Sequence, residues 1–396
     1  MTSFFWGAAL LLLPIYFYPK ITEDLLTSRN LLFTVLAITG AMITTRTKKN
    51  FPKILYFIPL FTFLNCYVYD SIAVQAQIIG LASGLLVIMC IADAESFNRK
   101  VFINFLAAAC IIQTIWFFLN WYGISPYYVF IDHVFNKLAS IPMKGHNTED
   151  AIRVLKEIGH SPGGSLANGM YSASILAVTI PALFRKKLIW IAPFAIFAAH
   201  ISNSTMGLAS SLLGIIFYTA YWLRGSKKLV FSIFACACVV FVLVTTIIRP
   251  KGQALKDSGR VVHWQQMLTM PFNRLGGGGL GFLSDQFRYY QDDGKANKFY
   301  IYAHNEYLDL YVAFGAIGCC LILYLFCHLY GREFDPILTP ALLAFLVNCL
   351  GTFNLHIAGA SIFFCTVYGI LLRNNPKGDE NEKTNSNSKL SYLFGR

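Results

Sequence analysis

The chain predicts an all-α, polytopic membrane protein with about twelve transmembrane helices, and three observations carry that prediction. Of its 396 residues 56% are hydrophobic and only 13% charged, too few polar groups to clothe a soluble globule. Apolar stretches near the spanning length of roughly 20 residues recur along it. Lys and Arg collect after every second stretch.

The apolar stretches are 3–18, 29–45, 54–69, 72–92, 101–119, 166–184, 188–203, 206–223, 229–248, 306–329, 337–355 and 357–372. Cytoplasmic loops hold the excess of basic residues. Arg46, Lys48, Lys49 and Lys53 follow the second stretch, Arg99 and Lys100 the fourth, Arg185, Lys186 and Lys187 the sixth, and Arg224, Lys227 and Lys228 the eighth. All four clusters therefore share one side, and an even number of spans puts both termini in the cytoplasm. Residues 1–373 read as one transmembrane domain, and 374–396, polar and rich in Asn and Ser, as a disordered cytoplasmic tail. The net charge of +12 is then a topology signal and calls for no nucleic-acid partner. The first stretch has no basic residue ahead of it and no small-x-small cleavage site, so it reads as a retained span. Each of the ten cysteines lies in an apolar stretch, which predicts neither a disulfide framework nor a thiolate metal site.

Two long loops fall on the external face, about 120–165 and 249–304. Long loops of mixed composition are usually functional. In the first, Thr148 would cap an amphipathic helix with Ala151, Val154, Leu155 and Ile158 on one face. The second carries Arg249, Lys251, Lys256, Arg260, Arg274, Arg288, Lys295 and Lys298 against Asp257, Asp285, Asp292 and Asp293. That surplus suits an anionic ligand, and a guanidinium fork matches two phosphate oxygens at once. Contact with anionic lipid head groups is the competing reading of the same cations.

Gly276 to Gly279 with Gly281 formally satisfy GxGxxG. Without a strand before it or a helix after it the run is no nucleotide site, but a flexible turn that lets backbone approach a substrate or the membrane surface. His304 stands at the entrance of the apolar stretch that follows. The positive end of a helix dipole favours a neutral imidazole, which can take a proton from a sugar hydroxyl. Tyr307 and Tyr311, three and seven residues on, share its helical face and could stack on sugars or anchor the interface.

Several pieces in order resemble the O-antigen ligase and O-antigen polymerase superfamily: Gly164, Ser165, Leu166, Ala167 and Asn168 leading into a span; Gly259, Arg260 and Trp264; Gly277, Gly279, Leu280, Gly281 and Phe282; and His304, Asn305, Tyr307 and Leu308 with Gly315 and Gly318. The resemblance covers roughly 165–325. It implies a bacterial inner-membrane glycosyltransferase of GT-C type, acting on the periplasmic face without cofactor or metal. The donor would be a glycan on undecaprenyl diphosphate, and the acceptor lipid A core for a ligase or a lipid-linked glycan for a polymerase. The family's catalytic histidine maps onto His304 and its loop arginine onto Arg260. Arg288, Arg274 and Arg249 are further diphosphate candidates, and Asn305, Tyr307, Tyr311, Asn168 and Trp264 candidates to line the site. One departure is that Met206 stands where many members have an Arg after Ser or Thr, beside the polar cluster His200, Asn203, Ser204 and Thr205. A protein O-oligosaccharyltransferase and a flippase of lipid-linked glycan remain open alternatives. The absence of a large C-terminal external domain tells against the first, and the absence of an internal repeat against the second.

Overall fold

The computed structural model describes residues 2–15, 25–44, 72–94, 97–124, 126, 169–185, 187–243, 264, 267–279, 282–283, 303–352 and 354–373. Their regular structure is helical, with no strand among the described residues. The helices are α1 (Thr2–Ile15), α2 (Leu25–Thr44), α3 (Ile72–Ala92), α4 (Arg99–Trp121), α5 (Gly169–Arg185), α6 (Ala192–Ile201), α7 (Thr205–Arg224), α8 (Lys227–Leu243), α9 (Glu306–Gly331), α10 (Leu338–Asn348) and α11 (Ala358–Leu372). Eleven of the twelve apolar stretches fall on these helices. The stretch 54–69, most of the loop 120–165 and the tail 374–396 lie outside the described residues.

Three helices, α4, α7 and α9, are long and apolar enough to cross a membrane unaided. Others are shorter than the roughly 20 residues of a spanning helix. α6 has ten residues, extended at its start by a 3-10 turn, Ile189–Ile191, and α10 has eleven. Helix α5 forms the centre, with its side chains buried from Tyr171 to Leu183 against α4, α7 and α10. Its hydroxyls turn inward on the helix: Ser174 donates to the Tyr171 carbonyl at 2.6 Å and Thr179 to the Ile175 carbonyl at 2.6 Å. In a hydrocarbon surrounding a hydroxyl needs such a partner, and the preceding turn supplies it. Helices α3 and α11 pack together, and α1 lies against both α4 and α11.

One end of the bundle is tied by cations that the sequence assigns to the cytoplasm. Arg99 forms a two-pronged pair with Asp335, its Nη2 lying 2.7 Å from Oδ1. Lys227 Nζ donates to the Tyr330 carbonyl at 2.9 Å, and Arg373 Nη1 to the Phe97 carbonyl at 3.2 Å. Asp335 also accepts from the amides of Ile337 and Leu338, which starts α10. Helix α9 runs from this end to His304 at the other.

Helix α9 is not continuous. Gly315 has φ +59° and ψ −150°, a conformation that only glycine adopts without strain, and it splits the helix into Glu306–Phe314 and Ala316–Gly331. In an unbroken helix the Val312 and Ala313 carbonyls would accept from the amides of Ala316 and Ile317. Here the glycine run takes their place. Gly278 N–H donates to the Val312 carbonyl at 2.9 Å and Gly279 N–H to the Ala313 carbonyl at 3.0 Å. In return Ala316 N–H donates to the Arg274 carbonyl at 2.8 Å and Ile317 N–H to the Leu275 carbonyl at 3.1 Å. Each of these four backbone groups thus regains a partner, a necessity where no water is at hand. The glycine run is therefore built for close approach as its composition predicts, but the backbone it approaches is that of α9.

Candidate functional site

His304 directly precedes the helix. Asn305 is the N-cap, its Oδ1 accepting from the amides of Tyr307 and Leu308 at 3.1 Å each. The backbone of His304 sits at φ +53°, an uncommon conformation for a residue with a side chain, so its surroundings must impose it. Those surroundings are dense. Trp264 donates its indole N–H to the Ala303 carbonyl at 2.6 Å, and the Ala303 amide donates to Asp309 Oδ1 at 2.9 Å. On the other side the Glu306 amide reaches the carbonyls of Cys349 at 2.9 Å and Thr352 at 3.1 Å. The residue before the histidine and the second residue after it are both pinned to other elements.

The Glu306 side chain extends this anchoring. It is 1% exposed, accepts from the Leu355 amide at 3.1 Å, and its Oε1 lies 3.2 Å from His356 Nε2. His356 belongs to a 3-10 turn, Asn354–His356, between α10 and α11. Burial opposes its charged form, but the neighbouring Glu306 carboxylate outweighs burial and raises the pKa of His356 above the ordinary value. A buried amide network stands beside the pair. Asn348 donates to Ser210 Oγ at 2.9 Å, Thr352 donates to Asn348 Oδ1 at 2.9 Å, and Asn354 donates to both Asn348 Oδ1 and Thr352 Oγ1 at 2.7 and 2.6 Å. The turn that receives the Glu306 amide is thereby locked to α7.

Of the ten candidate residues, the structure describes six. Arg260, Arg288, Arg249 and Asn168 lie outside the described residues. His304, Asn305 and Trp264 are brought together, Trp264 by gripping the backbone that carries the histidine. Tyr307 donates its hydroxyl to the Leu346 carbonyl at 2.9 Å, and its ring packs among apolar residues of α7, α8 and α10. Tyr311 meets the loop instead, edge to face with Phe272 at 5.6 Å. Arg274 is exposed, yet its Nη2 donates to the carbonyls of Leu268 at 2.5 Å and Met270 at 3.1 Å, and its guanidinium lies 4.1 Å from the Phe272 ring centre. As folded, Arg274 staples its own loop.

Met206 packs with Tyr307 in the same apolar cluster and lies over Gly351, where an added Cβ would come within 2.4 Å of its Cγ. The position where the family resemblance leads one to expect an Arg thus adjoins the Gly351–Thr352 turn and, through it, Glu306. Its polar neighbours form a helix junction: Ser204 caps α7 by accepting from the Gly207 amide at 2.9 Å, and Ser202 donates to the Ala199 carbonyl at 2.6 Å. His200, Asn203 and Thr205 are exposed.

A groove of about 190 Å³ begins at Glu306 and Tyr307 and follows α9 past Leu310, Phe314 and Leu325 to Leu329, closed on its far side by α3, α10 and α11. Its walls are apolar almost throughout. The stretch of helix it follows has a length on the order of 30 Å, the thickness of a bilayer's hydrocarbon core.

Glu306, Asp309 and His356 were not singled out by the sequence reading. A signal did exist: two carboxylates inside the first turn of an apolar helix, and Asn348, Thr352, Asn354 and His356 crowded between two apolar stretches, are costly in a membrane and so mark an organised site. No group of His, Cys, Asp and Glu among the described residues is arranged to hold a metal ion.

Residues 190–323 match the family model described as O-antigen ligase. No curated protein and no solved structure matches the chain. The matched segment runs from the start of the α6 region through the glycine run and the break at Gly315, and it contains Arg260, Trp264 and His304 in the order expected. By that match the segment 190–323 is similar to the O-antigen ligase family, within a chain whose apolar helices suit a membrane.

Proposed function

We propose that the chain is a glycosyltransferase that moves a glycan from undecaprenyl diphosphate to a hydroxyl acceptor on the periplasmic face of the bacterial inner membrane. His304 is the general base. Its imidazole takes the acceptor's hydroxyl proton, the oxygen attacks the anomeric carbon, and the bond to the diphosphate breaks with its electron pair leaving on the phosphate oxygen. Direct displacement inverts the anomeric centre. Charge that develops on the diphosphate is met by arginine rather than metal, with Arg260 as the principal cation and Arg288, Arg249 and Arg274 as auxiliaries. Serving in that role would require Arg274 to exchange its carbonyl partners for phosphate oxygens.

The observation that carries this reading is that His304 lies two residues before Glu306 and next to Asn305, the cap of α9, while an apolar groove along that helix begins at Glu306 and Tyr307. A reacting head group at the helix entrance and an isoprenoid tail along α9 fit one molecule, a polyprenyl-linked sugar. Two further points support it. His304 lies at the end of α9 opposite the Arg99, Lys227 and Arg373 contacts, as a periplasmic site requires under the positive-inside rule. The matched family is described as O-antigen ligase, in line with transfer of a lipid-linked glycan whichever of the two acceptors is used.

The break in α9 is a feature that a flippase would use, since discontinuous helices often build transport sites. Here, however, the opened groups at Val312, Ala313, Ala316 and Ile317 are taken up by the loop, which leaves them unavailable to an ion or substrate. Transfer is the better reading. It is tested with purified protein, undecaprenyl-diphosphate-linked glycan, and either lipid A core or no added acceptor. Product on lipid A core identifies a ligase and a ladder without it a polymerase. Near-normal transfer by His304→Ala would remove the general-base assignment.

A further inference from the structure

The loop grips the first half of α9 at both ends. Trp264 holds Ala303 next to His304, and Gly278 and Gly279 hold Val312 and Ala313 about 14 Å further along the helix. Between them, Met267, Met270, Phe272, Phe282 and Leu283 pack on Leu308 and Val312 as an apolar cluster separate from the main core. Toward the second half of α9 the covalent link is Gly315, in a conformation closed to other residues.

The glycines in the run differ sharply from one another. A Cβ on Gly277, which has φ +80°, would lie 2.1 Å from the Ala313 carbonyl oxygen, and one on Gly315 would lie 2.5 Å from the Leu275 carbonyl oxygen. Backbone cannot step aside as the tip of a side chain can. A Cβ on Gly278 would meet the Phe282 ring at 2.4 Å, a side chain with some freedom to turn. A Cβ on Gly276 would find nothing nearer than Asn273 at 4.0 Å. Asn273 itself shapes the turn, its Oδ1 accepting from the amides of Leu275 and Gly276 at 2.9 and 3.1 Å.

We infer that this backbone clip is a positioning device for catalysis, with Gly277, Gly315 and Trp264 as positioning residues that set the loop in register with the half-helix bearing His304. The inference rests on the reading of His304 as general base. Misplacement of a reacting group by about 1 Å can cost 100-fold in rate, and the loss falls on turnover when the groups that bind substrate are kept.

The test is an alanine series at Gly276, Gly277, Gly278 and Gly315 in the full chain in lipid nanodiscs. It is read as kcat and KM for transfer and as hydrogen exchange at the Ala316 and Ile317 amides. Gly277→Ala and Gly315→Ala should lower kcat at least about 30-fold with KM within about threefold, and should speed exchange at both amides. Gly278→Ala should fall between, and Gly276→Ala should stay within about twofold of the parent on every measure. Equal damage at Gly276 and Gly277, or full turnover in Gly277→Ala, overturns the inference. Should Gly277→Ala and Gly315→Ala fail to fold, Trp264→Phe decides: it keeps the ring and loses the bond to Ala303, and an unchanged kcat rejects the positioning role. His304→Ala in the same assay separates the two ideas. If it remains active the general-base reading fails, whereas a silent His304→Ala beside a fully active Gly277→Ala and Trp264→Phe defeats the clip alone.

Discussion

The two halves of α9 share one apolar stretch and do opposite work. In Glu306–Phe314 five side chains are buried, Glu306, Asp309, Val312, Ala313 and Phe314, and the backbone is tied to a loop, to α10 and to the turn after it. In Ala316–Gly331 only Gly318 and Leu329 are buried, while Cys319, Cys320, Leu323 and Cys327 face outward. The first half is held by specific side-chain and backbone hydrogen-bond partners in other elements along its length, whereas among the described residues the second has such partners only near its ends, at Ala316 and Ile317 and at Tyr330. One helix can therefore serve as scaffold at one end and as part of a site at the other, provided that a hinge-like residue separates the two. Gly315 is that residue, and the glycine loop completes the backbone bonding that the separation would otherwise leave open.

The contrast breaks most readily at Glu306. Glu306→Leu strips the buried His356 of its carboxylate and the Leu355 amide of its acceptor, so unfolding should become easier by about 3–5 kcal/mol. Thermal or denaturant unfolding of the purified variant measures it, and a loss under about 1 kcal/mol would show that the pair is not structural. The same pair predicts a pH response. His356 has its pKa raised above 6.5, so its contribution is complete below that value and fades as pH climbs through the raised pKa. The parent should lose stability relative to His356→Gln as pH rises above 6.5, and a difference that stays constant with rising pH would contradict the assignment.

Asp309→Ala comes next. It leaves the buried Ala303 amide without its acceptor, at a cost of about 1–3 kcal/mol, and it should depress transfer because Ala303 adjoins His304. Asn305→Ala removes the cap that accepts from Tyr307 and Leu308, for about 1 kcal/mol, and Asn305→Asp should restore most of that. The smallest effect belongs to the other half: Cys320→Ala should change stability by less than about 0.5 kcal/mol and leave transfer intact. If Cys320→Ala proved as damaging as Asn305→Ala, the division of the helix into two functions would have to be abandoned.

Most helices were legible in advance, because a hydrocarbon surrounding imposes a long apolar composition that few other structures need. Helix ends were not read in advance where the structure describes them: Asn305 and Ser204 each cap a helix, whereas Thr148, the one cap the sequence suggests, lies outside the described residues. The site was legible only in part. His304, Trp264 and the glycine run stand out by residue type and order, but Arg274 illustrates the limit. Its forked donors suit a diphosphate in the sequence, whereas the fold offers two carbonyls of its own loop and the ring of Phe272 first. Tyr307 shows the same, with its hydroxyl turned to the carbonyl of Leu346, 39 residues away.

By itself the sequence determined that this protein suits a membrane, which stretches become helices, where along the chain the basic residues cluster and which histidine merits attention. Each of these depends on composition or on residues close together in the chain, where hydropathy and local capping decide. Tertiary structure alone decided that α9 is split, that the glycines mend the split, and that Glu306 meets His356 across 50 residues. Such pairings depend on which backbone groups are left wanting once the chain has folded, and a low-dielectric interior makes each unmet group too costly to leave.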